Sequence, residues 1–298
     1  MDDRKLAHRP LRAVTAKADR PPERNRASLA GATHQTPLTP SASANDEHPP
    51  LNQSRSEGHS IGRPATVIFD FGWTLAEPAG SSYSAWAETV RAALARLRGN
   101  LDNVAARGRA TDYELAVLIE VEAALTSEKP LEIDGLWSKI SRENGPYSAN
   151  ARSRPIEDFG LELTTGDWRL YREAFPVLDL LSRRRTAMGL VSDISSPTMH
   201  WAALAGRLGL DHYIPAMAFS EELGAIKPDP RGILSVVEQL QADPANTLYV
   251  GDTPAKDVDS AVAASVIPIW LRRRPEAQPG RHQPAYTINS LRDLLTIL

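Results

Sequence analysis

Cysteine is absent from the 298-residue sequence, which excludes disulfide bonds, a thiolate nucleophile and zinc sites built on thiolates. The sequence also lacks the run of about 18 apolar residues that a membrane-spanning helix needs. Near Met1 it lacks the continuous apolar stretch of a secretory signal peptide. Any catalysis must therefore use carboxylates, hydroxyls, amines or imidazoles. These absences favour a reducing compartment, and we expect a cytoplasmic protein with no membrane partner.

An excess of charge of one sign is also missing, since 34 lysines and arginines accompany 37 aspartates and glutamates, giving a formal net charge of −3. That balance gives no general attraction to polyanions, so we expect no nucleic-acid partner. Binding of a single phosphate group is still allowed, because it depends on a few local donors. The length permits one large domain or two modest ones with a buried core.

Residues 1–63 differ in composition from the rest of the chain. Proline recurs there, as in Pro21-Pro22 and Pro49-Pro50, among scattered Ser, Ala, Asn and Arg residues, and no hydrophobic period is sustained. Such a segment has too few apolar residues to offset the entropy of folding. The composition predicts a disordered N-terminal extension.

Short apolar, β-branched runs begin at Ala65 and recur along the chain, separated in its second half by amphipathic stretches of helical period. Alternating strands and helices predict a mainly parallel sheet covered on both faces. The expected fold class is therefore α/β, with a Rossmann-like core formed by residues 64–77 and 176–298. Pro268 lies in the last long run and predicts an edge strand there. The apolar runs span residues 65–71, 187–191, 216–219, 248–250 and 266–271.

Residues 78–175 interrupt this alternation, because their apolar residues recur at helical rather than strand spacing. Trp86, Val90 and Leu94, for example, fall on one face of a predicted helix. A helical insert between the first strand and the rest of the sheet predicts a cap domain over the strand ends. The predicted helices span residues 83–97, 113–125, 133–140 and 168–174.

Four polar residues follow predicted strands or lie in the loops beyond them, at the edge where open α/β sheets bind ligands. Each one alone has an ordinary explanation, such as a helix cap, a turn or a solvated loop lysine. Those ordinary roles do not predict the order and spacing of the set. Its members are Asp70, Ser192, Lys227 and Asp252.

The segments around these four residues resemble the motifs of the haloacid dehalogenase-like hydrolase superfamily, in the family's order. The resemblance covers about Ala65 to Leu298, and the fourth motif, with Gly251-Asp252 and the later Asp257, is the most specific. It implies a Rossmann-like hydrolase core with a helical cap that acts on a small phosphorylated molecule. The motifs read Asp70-Phe71-Gly72-Trp73-Thr74-Leu75, Leu190-Val191-Ser192-Asp193, Lys227-Pro228-Asp229-Pro230 and Val250-Gly251-Asp252-Thr253-Pro254-Ala255-Lys256-Asp257.

The resemblance implies that Asp70 is the nucleophile of a phosphatase. A carboxylate that attacks phosphorus forms an aspartyl phosphate, which water then hydrolyses, so one difficult displacement becomes two. A hard divalent cation such as Mg²⁺ must offset the repulsion between carboxylate and phosphate. The family pattern assigns the metal to Asp70, Asp252, the backbone carbonyl of Gly72 and Asp257, and assigns phosphate binding and charge stabilisation to Thr74, Ser192 and Lys227.

Gly72 departs from the pattern, because the family's phosphatases usually carry there a second aspartate that serves as general acid and base. General acid–base catalysis contributes about 10²-fold to 10⁴-fold, so we expect slow turnover of alkyl phosphates unless Glu77 or a cap residue substitutes. Two alternatives stay open. One is a catalytically weak or inactive protein that binds a ligand in the same pocket. The other is a phosphonatase-like C–P hydrolase that uses Lys129 or Lys139 as a Schiff base.

The basic run at residues 272–274 follows the last long apolar run. Charge runs of this kind are usually solvated ends of elements. We therefore expect these arginines to lie in solvent, outside the site.

Overall fold

The computed structural model describes residues 66–127, 133–148, 152–274 and 277–298. The predicted disordered extension, residues 1–63, lies outside these ranges. The described strands are β1 (Thr66–Asp70), β2 (Ala76–Pro78), β3 (Trp168–Leu170), β4 (Ala187–Ser192), β5 (Ala216–Phe219), β6 (Thr247–Gly251), β7 (Ile267–Leu271) and β8 (Tyr286–Ile288). The described α-helices are α1 (Tyr83–Ala106), α2 (Asp112–Thr126), α3 (Ile133–Asn144), α4 (Arg154–Thr164), α5 (Ala174–Arg183), α6 (Thr198–Arg207), α7 (Ser220–Leu223), α8 (Arg231–Gln239), α9 (Asp257–Ala263) and α10 (Leu294–Ile297).

Six strands form a parallel sheet in the order β5-β4-β1-β6-β7-β8. The predicted α/β, Rossmann-like fold class is therefore confirmed. β1 lies between β4 and β6, with Asp70 opposite Val191 and Phe69 opposite Val250. Because parallel strands end at the same edge of a sheet, the residues after β1, β4 and β6 meet there.

Two hydrophobic clusters cover the two faces of this sheet. Val67 and Phe69 contribute to the cluster shared with α5, α6 and α10, whereas Ile68 contributes to the cluster shared with α8 and α9. Successive side chains of a strand point to opposite faces, so β1, with Val67, Ile68 and Phe69 in its middle, is buried on both sides. The apolar run therefore correctly indicated a buried strand.

The prediction of an edge strand at Pro268 is wrong, because β7 lies between β6 and β8. β8 pairs only with the part of β7 from Ile269 onward. Pro268 precedes that part, and its carbonyl accepts a hydrogen bond from the backbone of Ala285 at 2.9 Å. Its missing N–H therefore leaves the pairing with β8 intact.

The helical insert, defined here as α1 to α4, has a hydrophobic cluster of its own that includes Leu94, Leu97, Trp137 and Ile156. The segments before and after it form the antiparallel pair β2 and β3. Trp86 packs against this cluster and also against the sheet cluster. The insert is thus a separately packed unit that touches the core, while the bounds 78–175 for a cap domain stay a prediction.

The helix predicted at residues 168–174 is wrong, since Trp168–Leu170 forms β3 and α5 begins only at Ala174. Backbone pairing with β2 outweighs the weak helical pattern of so short a segment. The indole of Trp168 donates to the carbonyl of Leu163 at 3.0 Å, which holds β3 against the end of α4. Across the described ranges, no helix has both the length and the apolar composition needed to cross a membrane.

Candidate active site

Three carboxylates meet at the carboxyl edge of the sheet. Asp70 is the last residue of β1, Asp252 directly follows β6, and Asp257 begins α9. One oxygen from each lies within 4.8 Å of the others, and all three residues are buried. The sequence-predicted metal ligands are therefore brought together by strand order and by one helix start.

Gly251 allows Asp257 to approach β6. A Cβ built at Gly251 would lie 2.2 Å from Asp257 Cγ, closer than side chains tolerate. The carboxylate of Asp257 is also fixed by the backbone N–H of Thr253, which donates to Oδ2 at 2.8 Å. A glycine before Asp252 is thus a steric requirement of the carboxylate cluster.

We expect Gly251→Ala to lower the free energy of unfolding by about 1–3 kcal/mol, the usual cost of overpacking, and to weaken binding of Mg²⁺. Thermal unfolding and metal titration measure the two effects. Gly72→Ala is the matched control, because no atom lies within 4 Å of a Cβ built there. Equal stability of both variants would contradict the steric role of Gly251.

Lys227 bridges the carboxylates from the loop between α7 and α8. Its Nζ donates to Asp70 Oδ1 at 2.6 Å and to Asp257 Oδ1 at 2.7 Å, and it lies 3.3 Å from the hydroxyl of Tyr249. Only 5% of Lys227 is exposed. Burial opposes the charge on this lysine, but Asp257 and Asp70 outweigh it and raise the pKa of Lys227 well above its usual value. The two carboxylates therefore favour the charged form of Lys227.

Burial is the largest influence on Asp70 and raises the pKa of its carboxyl, with Lys227 opposing the shift and Asp257 and Asp252 adding to it. Asp70 Oδ2 is buried and finds no hydrogen-bond partner among the described residues. An unpaired buried carboxylate oxygen is costly. Three buried carboxylates that lie this close together form a donor set of oxygens that suits Mg²⁺, which prefers oxygen ligands. The residues present therefore fit the predicted metal.

The remaining predicted residues differ in their placement. Ser192 lines the cavity, and its hydroxyl donates to the carbonyl of Asp193 at 3.1 Å. Gly72 lines the cavity too. Thr74 is fully buried in the turn after β1 and is not among the residues that line the cavity. Its hydroxyl has no hydrogen-bond partner within the described ranges, so its predicted contact with phosphate stays a prediction.

Arg274 belongs to the site, so the prediction that residues 272–274 lie in solvent is wrong for this residue. Its Nε donates to Asp252 Oδ2 at 2.5 Å, and Nη2 donates to Thr253 Oγ1 at 2.6 Å. The guanidinium carbon also lies 4.6 Å from the ring centre of Tyr83 and 5.4 Å from that of Trp73. Arg274 thus connects the sheet edge to the first helix of the insert. Its position shortly after β7 was the one available signal.

Asp193 and Lys256 form a further ion pair in the site that the residue types alone did not reveal. Asp193 Oδ1 accepts from the backbone N–H of Lys227 at 3.1 Å, and Lys256 Nζ lies 3.5 Å from Asp193 Oδ2. Both side chains line the cavity. Asp193 therefore fixes the loop that carries Lys227.

A cavity of about 670 Å³ lies between the sheet edge and the helical insert. Asp70 and Asp252 line it from the sheet, and Tyr83, Trp86 and Gly135 line it from the insert. A volume of this size is typical of small-molecule sites. The carboxylate cluster therefore opens onto a space that accepts a substrate.

Glu77 and Lys139, which the sequence offered as alternative catalytic groups, lie outside the cavity. Glu77 accepts hydrogen bonds from Arg169 at 3.1 Å and from the Tyr171 hydroxyl at 2.8 Å, and it does not line the cavity. Lys139 Nζ binds Glu120 at 2.7 Å and does not line the cavity either. Lys129 lies outside the described residues. The described insert therefore offers no support for a Schiff-base lysine at Lys139.

Comparison with known proteins bears on this site. A family model described as haloacid dehalogenase-like hydrolase matches residues 64–265. A glyceraldehyde 3-phosphate phosphatase from Methanopyrus kandleri is 28% identical over 185 residues, which cover 61% of this chain and 77% of that protein. A phosphoserine phosphatase from Thermus thermophilus is 27% identical over 182 residues, which cover 54% of this chain and 72% of that protein.

Two solved structures share the architecture. A 2-haloacid dehalogenase from Pseudomonas syringae pv. tomato has a TM-score of 0.51 and 23% identity, over 78% of this chain and 97% of the other. A predicted phosphoglycolate phosphatase from Haemophilus somnus also has a TM-score of 0.51, with 18% identity over 80% of this chain and 99% of the other. At such identities the likeness concerns the fold alone.

Proposed function

This chain belongs to the haloacid dehalogenase-like hydrolases, and from that premise we propose that it is a magnesium-dependent phosphatase of a small phosphorylated molecule, with Asp70 as nucleophile. The observation that carries the proposal is the buried cluster of Asp70, Asp252 and Asp257, in which Lys227 contacts Asp70 and Asp257. The similarity to two curated phosphatases supports the reaction class.

Asp70 presents two different oxygens to a substrate. Oδ1 accepts from Lys227 at 2.6 Å, whereas Oδ2 has no partner among the described residues. Oδ2 is therefore the atom that attacks phosphorus, forming a new P–O bond while the bond to the leaving group breaks. Water then attacks the same phosphorus, and the bond to Asp70 breaks with its electron pair returning to the carboxylate. Inorganic phosphate leaves with one proton of the water, and the other proton passes to solvent.

Charge on the transferring group requires donors that are already in place. Lys227 is held next to Asp70 by two carboxylates, and Ser192 lines the same cavity. Mg²⁺ would be held by Asp70, Asp252, Asp257 and the carbonyl of Gly72, and it supplies positive charge that offsets carboxylate–phosphate repulsion.

The helical insert is proposed as the cap of this enzyme. Trp86 and Tyr83 of α1 line the cavity opposite the carboxylate cluster. A cap in this position excludes water from the aspartyl phosphate and selects the leaving group.

We expect hydrolysis of 4-nitrophenyl phosphate to stop when EDTA removes divalent cations and to return with Mg²⁺.

The metal also binds only the folded carboxylate cluster, so Mg²⁺ at 100 times its Kd stabilises the fold by about 2.7 kcal/mol. Thermal unfolding with and without Mg²⁺ measures this shift. Asp252→Asn should lose most of it, whereas the exposed Asp179→Asn, whose carboxylate pairs with Arg183 on α5, should keep it. A full shift in Asp252→Asn rejects the assigned metal site.

A second candidate function is favoured by Gly72 alone. Without the usual second aspartate, the same pocket suits a protein that binds a phosphorylated ligand and turns it over weakly. Isothermal titration with inorganic phosphate and Mg²⁺, combined with a panel of phosphate esters, separates the two functions. Binding without turnover of any ester, including 4-nitrophenyl phosphate, supports the second.

A further inference from the structure

The space beside Gly72 is empty. A Cβ built there meets no atom within 4 Å, and Gly72 lines the cavity close to the nucleophile Asp70 in sequence. An alkoxide that leaves as Asp70 attacks needs a proton, and a missing general acid lowers the rate about 10²-fold to 10⁴-fold. The structure must therefore supply an acid from elsewhere or use a leaving group that needs none.

The carboxyl groups that line the cavity do not supply that acid. Three of the four described ones, Asp70, Asp252 and Asp257, are the proposed metal ligands and bind a cation only when ionised. The fourth, Asp193, accepts a backbone N–H and is paired with Lys256 at 3.5 Å. Both observations favour a leaving group that departs as an anion.

The charge of the cavity limits the substrate further. Each described cation that lines it already contacts a carboxylate: Lys227 contacts Asp70 and Asp257, Lys256 contacts Asp193, and Arg274 contacts Asp252. Four carboxylates and three cations give the lining a net charge of −1. A divalent metal and a phosphate dianion cancel each other, so the net charge stays the same when both are bound. A second anionic group on the substrate would find no uncommitted cation in the described part of the cavity.

Aromatic rings form one wall of the cavity. Trp168 lies at the centre, with ring centres 5.2 Å from Trp86, 5.3 Å from Trp201 and 5.5 Å from Phe71, and all four line the cavity. The rings come from α1, β3, α6 and the turn after β1. Phe71, Trp168 and Trp201 are buried and Trp86 is half-buried, so Trp86 is the ring with the most surface left for contact with a planar apolar group. The cavity, at about 670 Å³, is also larger than a two- or three-carbon leaving group requires.

Resting on the proposed phosphatase function, we propose that the substrate is the phosphate ester of an acidic, planar hydroxyl compound, an aryl or enol phosphate without a second anionic group. Asp70 Oδ2 bonds to phosphorus as the P–O bond to the phenolate or enolate breaks, and the electron pair leaves with that oxygen. No proton is needed in this step. In the second step water attacks phosphorus and the bond to Asp70 breaks with its electron pair. Inorganic phosphate retains one proton of that water and the other passes to solvent, where it can protonate the released phenolate or enolate.

The first test compares kcat/KM for phenyl phosphate and benzyl phosphate at saturating Mg²⁺. Both carry one ring, but only phenyl phosphate releases an acidic hydroxyl compound. We expect phenyl phosphate to be preferred by at least about 100-fold, the lower bound for an absent acid, and phosphoglycolate to be poorer still. Preference below about tenfold overturns the proposal, because another group would then protonate the leaving oxygen.

The second test examines the aromatic wall through Trp86→Leu. This half-buried residue packs against both hydrophobic clusters, so leucine keeps much of the packing. We expect KM for 1-naphthyl phosphate to rise about fivefold to tenfold, as loss of ring contacts predicts, and KM for the small acetyl phosphate, which has no ring, to rise much less. Phe175→Leu, on α5 outside the cavity, is the control that changes neither. Equal KM changes for both substrates overturn the role of the wall.

The failure of this inference and that of the proposed function give different results. If benzyl phosphate and phosphoglycolate match phenyl phosphate, the phosphatase function stands and the leaving-group inference falls. If 4-nitrophenyl phosphate and acetyl phosphate are both left intact with Mg²⁺ present, the phosphatase function falls and the inference falls with it.

Discussion

Asp70→Asn is expected to lower kcat for 4-nitrophenyl phosphate by about 10⁴-fold or more, as loss of a covalent nucleophile does in other hydrolases. The carboxamide is nearly the same size as the carboxylate, but it cannot form an aspartyl phosphate. 4-Nitrophenolate leaves without acid help, so the missing group at Gly72 does not mask the effect. The assay therefore reports on nucleophilic attack alone.

The Asp70→Asn protein should remain folded, because Lys227 keeps its 2.7 Å contact with Asp257. Circular dichroism checks this, and Asp179→Asn serves as the matched surface control. Acid quenching of the wild-type reaction followed by peptide mass spectrometry should place a phosphoryl group on Asp70 and on no peptide of the variant. Turnover at the wild-type rate by a folded Asp70→Asn protein would show that Asp70 is not the nucleophile.

The strands of the core were predictable because burial on both faces demands apolar residues at every position. β1 is buried from Thr66 to Asp70, so a continuous apolar run preceded the one acid that ends it. Strand order was not predictable from such runs. The position of β7 inside the sheet depends on where β8 pairs, and Ile269 rather than Pro268 begins that pairing.

α4 was not predicted, although Ile156, Phe159 and Leu163 recur at helical spacing and are buried. Pro155 and Gly160 lie within this segment, and both residue types disfavour the interior of a helix. Pro155 lies in the first turn, where a missing N–H costs nothing. Gly160 is required by packing, since a Cβ there would lie 2.1 Å from the ring of His200 on α6. The constraint comes from another helix, so local periodicity does not reveal it.

The candidate site was partly predictable because several of its residues lie at or directly after the ends of strands. Asp70, Ser192 and Asp252 sit at fixed offsets from strand ends, and parallel pairing alone brings them together. Arg274 reaches Asp252 through a long side chain that also stacks near Tyr83 of the insert. Such a contact depends on how the insert packs against the sheet, which no strand-end offset determines.

Gly72→Asp is expected to raise kcat for benzyl phosphate by about 10²-fold to 10⁴-fold, the contribution of general acid–base catalysis. The backbone of Gly72 lies outside the left-handed region, and no atom stands within 4 Å of a Cβ built there. An aspartate at this position therefore fits without moving a neighbour, and its carboxyl reaches the cavity that Gly72 lines. The carbonyl proposed as a metal ligand is retained.

In the first step an added acid helps only an oxygen that must be protonated, so the gain in kcat/KM, which reports that step, should depend on the leaving group. The kcat/KM for 4-nitrophenyl phosphate should change less than about tenfold, so its ratio to the kcat/KM for benzyl phosphate should fall sharply. Gly72→Asn is the matched control, since it has nearly the same shape and cannot transfer the proton. An equal gain in Gly72→Asn would show that the side chain acts by filling space. If neither variant gains while both fold and bind Mg²⁺, the missing acid is not what limits this enzyme, and the leaving-group inference falls.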